Sequence, residues 1–168
     1  MKSICLVGFM GSGKTTIGKE LAKQLHIDFY DTDVEIEAWR KMSIPQIFEK
    51  EGEEYFRQYE AEILRKLPTN YAIIATGGGV VERKENRNWI KESLLGVYLK
   101  PTFDIISNRL TDDKSRPLWN KQEEEKRELF IRRIPLYEDC VKISIDIKTE
   151  STVKETVNTI LNSINDLK

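Results

Sequence analysis

Residues 6–21 read LVGFMGSGKTTIGKEL, and the loop inside them decides the fold. Gly8, Gly13, Lys14 and Thr15 fit the pattern G-x-x-x-x-G-K-[ST]. The apolar run SICLV (3–7) before it reads as a strand. Ile17, Leu21 and Leu25 after it recur at i, i+4 and i+8 and predict a helix over 14–25. Glycines let the backbone curl until successive N–H groups face a phosphate. The helix N-terminus adds partial positive charge. A lysine at the position of Lys14 can reach the β- and γ-phosphates, and the Thr15 hydroxyl suits Mg²⁺. The stretch therefore predicts nucleotide binding, but it does not separate a kinase from a GTPase or a motor ATPase.

Working outward, YAIIA (71–75), LGVYL (95–99) and VKISIDI (141–147) read as strands, with IDFY (27–30) a weaker fifth. Between them lie helical patterns, one marked by Phe56, Tyr59, Ile63 and Leu67 and the last by Val153, Val157, Ile160, Leu161, Ile164 and Leu167. Alternating strand and helix predicts an α/β fold with a five-stranded parallel sheet and helices on both faces. With 168 residues, a single domain over 1–168 is expected. Two regions exceed a simple crossover: 33–67, with two or three helices, and 111–121, TDDKSRPLWNK, polar and broken by Pro117. Thr32 with Glu35, Ser43 with Gln46, and Asn120 with Glu123 read as helix caps. Arg132 and Arg133 read as a helix end because Pro135 follows.

Composition narrows the class. A formal net charge of −1 argues against nucleic-acid binding driven by bulk electrostatics. Two cysteines, Cys5 and Cys140, are too few for a disulfide scaffold. His26 is the only histidine and has no partner at metal-ligand spacing. The apolar run near the N-terminus is too short for a signal peptide, and no stretch approaches a membrane span. A cytoplasmic protein with no membrane partner is expected.

The rest of the chain separates the nucleotide-binding classes. A guanine-reading N-K-x-D is absent; its nearest match, NKQE (120–123), ends in Glu. No D-x-x-G switch follows YAIIA, where Thr76 precedes Gly77, Gly78 and Gly79. Three glycines after a buried strand suggest a ligand approaching the backbone, at the sheet edge where such sites lie. Asp31 and Asp33 follow strand two, one carboxylate for a metal and the other for a substrate hydroxyl. Arg57 and Glu60, three apart, can pair on one helix face; a surface ion pair is the plain reading. Several arginines without excess positive charge suggest local anion recognition.

Together these segments resemble the shikimate kinase family. The matching pieces are GFMGSGKTTIGKELA, DTD (31–33), SIPQIFEKEGEEYFRQYE (43–60), TGGG (76–79), SRPL (115–118) and RRIPLYE (132–138). The resemblance implies a three-layer P-loop kinase fold with a helical substrate-binding insert (33–67) and a short lid (111–121). It implies transfer of the ATP γ-phosphoryl group to the 3-hydroxyl of shikimate, giving shikimate 3-phosphate and ADP, on the chorismate route to aromatic amino acids. Gly11, Ser12, Gly13, Lys14, Thr15 and Thr16 would hold the ATP phosphates. Thr15 would ligate Mg²⁺, and Asp31 would contact it through water. Asp33, Arg57, Gly78 and Arg133 would bind shikimate, the two arginines taking its carboxylate. Arg116 would close over the phosphates, and Arg109 would lie near the adenine. Lys14, Asp33 and Arg116 are the expected catalytic residues, Asp33 as the candidate base. The expected partners are ATP and shikimate, no nucleic acid is expected, and the expected state is a monomer. The runner-up is a kinase for another hydroxyl compound, such as gluconate or a nucleoside monophosphate; FRQYE together with RRIPLY argues against it.

Overall fold

Ile4–Val7 (β1) are four successive apolar residues with no accessible surface. A strand so buried needs neighbours on both edges and cover on both faces. On one edge β1 pairs in parallel with Ala72–Ala75 (β3), Ile4 opposite Ile73. On the other it pairs with Leu95–Pro101 (β4), Ile4 opposite Leu95. Asp28–Asp31 (β2) and Ile143–Ile147 (β5) complete a parallel sheet of order β2-β3-β1-β4-β5. This computed structural model describes residues 1–111, 113 and 116–167. Asp112, Lys114 and Ser115, within the segment expected as a lid, and Lys168 lie outside them.

The two-residue period of a strand sorts the core into two layers. Ile4, Leu6, Ile73, Val97 and Leu99 meet Ile17 and Leu21 of Lys14–Leu25 (α1) and Val157, Ile160 and Ile164 of Val153–Asn165 (α8). Cys5, Val7, Ile74 and Tyr98 point the other way. There they meet Glu53–Lys66 (α4), Lys84–Ser93 (α5), Phe103–Arg109 (α6) and Glu123–Asp139 (α7). β5 is an edge strand: Ile143, Ile145 and Ile147 are buried while Ser144 and Asp146 face water.

Between β2 and β3 the chain forms Thr32–Arg40 (α2), Ile44–Lys50 (α3) and α4. Ser43 and Gln46 make the expected reciprocal cap on α3. Glu51, just past α3, accepts from Arg40 Nη2 of α2 (2.8 Å) and from the Tyr59 hydroxyl of α4 (2.6 Å), tying the three helices together. The glutamates Glu53 and Glu54 open α4, and Arg65 and Lys66 close it, in accord with the helix dipole.

Three sequence expectations are corrected. Asp31, not Thr32, caps α2: its carboxylate accepts from the Asp33 N–H, while the Thr32 hydroxyl accepts from the Gly77 N–H. Gln122 with Glu125, rather than Asn120 with Glu123, caps α7. Arg132 and Arg133 lie inside α7, which continues through Pro135 to Asp139. Proline removes the bond to the carbonyl four residues back. That residue, Ile131, is exposed, while the buried Phe130, Arg133 and Tyr137 hold the helix to the core. Among the described residues no helix is long and apolar enough to cross a membrane.

Candidate active site

At the C-terminal end of β1 the connections diverge, toward β2 and β3 on one side and β4 and β5 on the other. Ligands of open parallel sheets bind in such a crevice. Here it opens into a cavity of about 630 Å³ that runs from the glycine loop to α4 and α7.

The loop from Gly8 to Lys14 forms one half. Gly11 (φ +78°) and Gly13 (φ +95°) take left-handed conformations that other residues resist. The Ser12 N–H bonds the Phe9 carbonyl and closes the turn. Gly13 caps α1 with no side-chain acceptor, and no acid lies in the first turn. The leading N–H groups of α1 are thus left for an external anion. Lys14 is buried, and its ammonium donates to the carbonyls of Gly8 (2.7 Å) and Phe9 (3.0 Å) and to Ser12 Oγ (3.3 Å). Burial, aided by the nearby Arg116 charge, lowers its pKa to about 7. The Thr15 hydroxyl donates to Asp31 Oδ2 at 2.7 Å, so two hard oxygens meet beside the loop. Thr16, exposed, also lines the cavity.

Arg116 lines the cavity and pairs with Asp113 at 3.3 Å. Arg109 donates to the Gly11 carbonyl at 2.9 Å, so it touches the loop directly. Just beyond Arg116, the Pro117–Trp119 turn buries Trp119 against Phe9 and Phe103, ring centroids 5.9 and 6.1 Å away. That ring belongs to the core and anchors the end of the expected lid.

The other half surrounds Gly77, Gly78 and Gly79. Six buried side-chain polar atoms among the described residues have no hydrogen-bond partner within the chain. Four of them belong to residues lining this cavity: Asp33 Oδ1, Arg57 Nε, Glu60 Oε1 and Arg133 Nη2. Burial of unpaired polar atoms is costly, so these four mark the part of the cavity where a polar ligand or ordered water would be accommodated. None of the three glycines has positive φ. Their close neighbours are largely protein side chains, which revises the sequence expectation of ligand approach alone. A Cβ on Gly77 would lie 2.7 Å from Glu60 Oε1 and 2.8 Å from Asp33 Oδ1, and one on Gly79 would overlap the Arg57 guanidinium. At Gly78 it would meet Met10 N at 3.1 Å and Arg133 Nη1 at 3.5 Å.

Charges oppose one another here. Arg57 Nη1 contacts Glu60 Oε2 at 2.5 Å and Arg57 Nη2 contacts Glu53 Oε1 at 3.1 Å. The Arg57–Glu60 pair is buried, contrary to the surface reading. Burial raises the Glu60 pKa to about 7 although Arg57 pulls it down. Burial and the Asp31 charge likewise raise that of Asp33; the residue is only partly covered, but its Oδ1 is shut off from solvent.

The structure thus brings Asp33, Arg57, Gly78 and Arg133 to one end of the cavity and Gly11 to Thr16 to the other, with Arg116 also on the lining. Sequence reasoning under-read Glu60. Its signal was there: positions 56, 60 and 63 share one face of α4, so Glu60 follows buried Phe56 and Ile63 inward. Nothing in VVER (80–83) marked Glu82, whose carboxylate holds both Arg132 and Arg133.

The family model for shikimate kinase matches residues 10–165. A shikimate kinase of Bacillus cereus is 44% identical, over 99% of this chain and 100% of the relative. One of Bacillus cytotoxicus is 48% identical, over 98% and 99%. The solved structure of shikimate kinase from Acinetobacter baumannii in complex with shikimate superposes with a TM-score of 0.94 at 37% identity, covering 100% of this chain and 95% of that one.

Proposed function

The chain belongs to the shikimate kinase family, and from that premise we propose that it transfers the γ-phosphoryl group of ATP to the 3-hydroxyl of shikimate. The products are shikimate 3-phosphate and ADP, on the chorismate route to aromatic amino acids. One observation carries the assignment of roles: two guanidinium and two carboxylate side chains leave buried atoms unpartnered around Gly77–79, beside a phosphate loop.

In this reading the N–H groups of Gly11 to Thr16 hold the ATP phosphates, and Lys14 leaves the loop carbonyls to bond them. Arg57 and Arg133 take the shikimate carboxylate, and Gly78 contributes its backbone at the same end. Asp33 accepts from the 3-hydroxyl and orients its oxygen toward the γ-phosphorus. The oxygen–phosphorus bond forms as the bond to the β–γ bridging oxygen breaks, and Asp33 receives the hydroxyl proton. Transfer is loose, so positioning and charge stabilisation carry most of the rate. Arg116 lies over the transferring group, and keeping water from that group prevents loss of the phosphoryl group by hydrolysis.

The donor set fits Mg²⁺. The Thr15 hydroxyl and Asp31 carboxylate are hard oxygens 2.7 Å apart. Among the described residues no cluster of three or more His, Cys, Asp or Glu is arranged to hold a metal. Mg²⁺ commonly binds through one or two protein oxygens together with phosphates and water. When bound, Mg²⁺ neutralises charge on the phosphates. The proposal extends to a monomer working in the cytoplasm, with Cys5 and Cys140 as buried thiols.

The test is ADP release with ATP and Mg²⁺ against a panel of shikimate, gluconate and nucleoside monophosphates. Release that depends on shikimate supports the reading. Release with another acceptor, or with none, overturns it.

A further inference from the structure

Arg133 is 1% exposed, among the most deeply buried large side chains of the protein. A guanidinium so placed needs a counter-charge. Glu60 lies near it, but its Oε2 is taken by Arg57 and its Oε1 has no partner in the chain. The charge that grips it is Glu82, at the end of the short helical turn Val80–Glu82 that follows the glycines. Glu82 Oε1 accepts from Arg133 Nε at 2.8 Å, and Oε2 accepts from Arg132 Nη1 at 2.8 Å. Arg132 is half-exposed. The carboxylate therefore bridges a solvent-facing arginine and a buried one, and the two arginines hold its pKa below the usual range despite burial.

The remaining edges of Arg133 are also defined. The guanidinium carbon lies 5.7 Å from the Phe9 ring centroid. Tyr137, one turn further along α7, donates to the Gly78 carbonyl at 2.6 Å. With Nε held by Glu82, the two Nη groups are left for other partners, and Nη1 lies 3.5 Å from where a Cβ on Gly78 would stand. A guanidinium free to rotate could present any of its edges; one pinned at Nε presents a single direction.

We infer that Glu82 is a positioning residue for shikimate binding, acting through Arg133 by holding Nε so that the Nη edge of the guanidinium faces the substrate carboxylate. The inference rests on the proposed role of Arg133. The hydrogen bonds of the Glu82 carboxylate go to Arg132 and Arg133 rather than to the phosphate loop, so its effect falls first on the acceptor.

The experiment measures KM for shikimate, KM for ATP, and kcat in Glu82→Gln, Glu82→Asp and Arg133→Ala. Losing a charge-assisted hydrogen bond predicts that Glu82→Gln raises the shikimate KM about tenfold. ATP KM and kcat should stay within about twofold of wild type, since those interactions are not touched. Glu82→Asp keeps the charge on a shorter arm and should fall between wild type and Gln, which gives a readout even if the Gln variant folds poorly. Parallel rises in both KM values overturn the inference, because they report a general distortion. If Arg133→Ala raises the shikimate KM and both Glu82 variants leave it unchanged, the inference fails while the role of Arg133 stands. If Arg133→Ala itself leaves that KM unchanged, both fall.

Discussion

Gly79 lies where the Arg57 guanidinium crosses the backbone, and any side chain there would have to displace it. Glu60 holds the same guanidinium from the other side. The site is thus built around one arginine that must bind both a protein carboxylate and, in the proposed reading, a substrate carboxylate. The balance between them titrates. Burial raises the Glu60 pKa from 4.5 to about 7. Protonation removes a negative charge beside Arg57, so a carboxylate ligand binds the protonated form better. The shikimate KM therefore rises as pH climbs through about 7, by roughly fivefold or more between about pH 6 and about pH 8. Glu60→Gln, neutral throughout, flattens that dependence. Initial rates at saturating ATP measure it, and an equal slope in both proteins would assign the titration to another group.

At the scale of elements, Asp31 serves two purposes at the start of α2. One oxygen accepts from the Asp33 N–H and caps the helix; the other accepts from Thr15. The two are separable. Asparagine caps a helix about as well as aspartate, so Asp31→Asn should leave stability within about 0.5 kcal/mol of wild type. Asp31→Ala loses the cap and should cost about 1 kcal/mol in denaturant unfolding. Both should raise the Mg²⁺ concentration needed for half-maximal activity, because each removes the charge. A normal Mg²⁺ requirement in the Asn variant would show that Asp31 acts only as a cap.

How far the elements could be read in advance follows from what fixes each. Three of the strands were legible because continuous apolar runs of four or five residues favour burial on both faces. The helix through Arg133 was misread at its end because Pro135 is a strong local stop signal. Burial of Phe130 and Tyr137 overrides it. Asp33, Arg57, Gly78 and Arg133 could be picked out because they sit in short recognisable segments. Glu82 could not, since its role depends on which helix packs across the end of β3, whereas the depth of Glu60 could have been read from its place between Phe56 and Ile63 on α4.

For the whole molecule, the sheet order places the phosphate loop on the central strand, between the segment that follows β3 and the helix after β4. One core layer, with α1 and α8, backs the loop; the other carries α4 and α7 and with them the acceptor-side arginines. The two ends of one cavity, donor and acceptor in the proposed reading, are therefore held by opposite faces of a single sheet. The central claim is that a phosphoryl group crosses between those ends to one hydroxyl. ³¹P NMR of the protein with ATP, Mg²⁺ and shikimate tests it most directly. The account predicts ADP and a new phosphomonoester in equal amounts, with the phosphorus coupled to the ring proton at carbon 3. Inorganic phosphate in place of the ester, or coupling to a different ring proton, would contradict it.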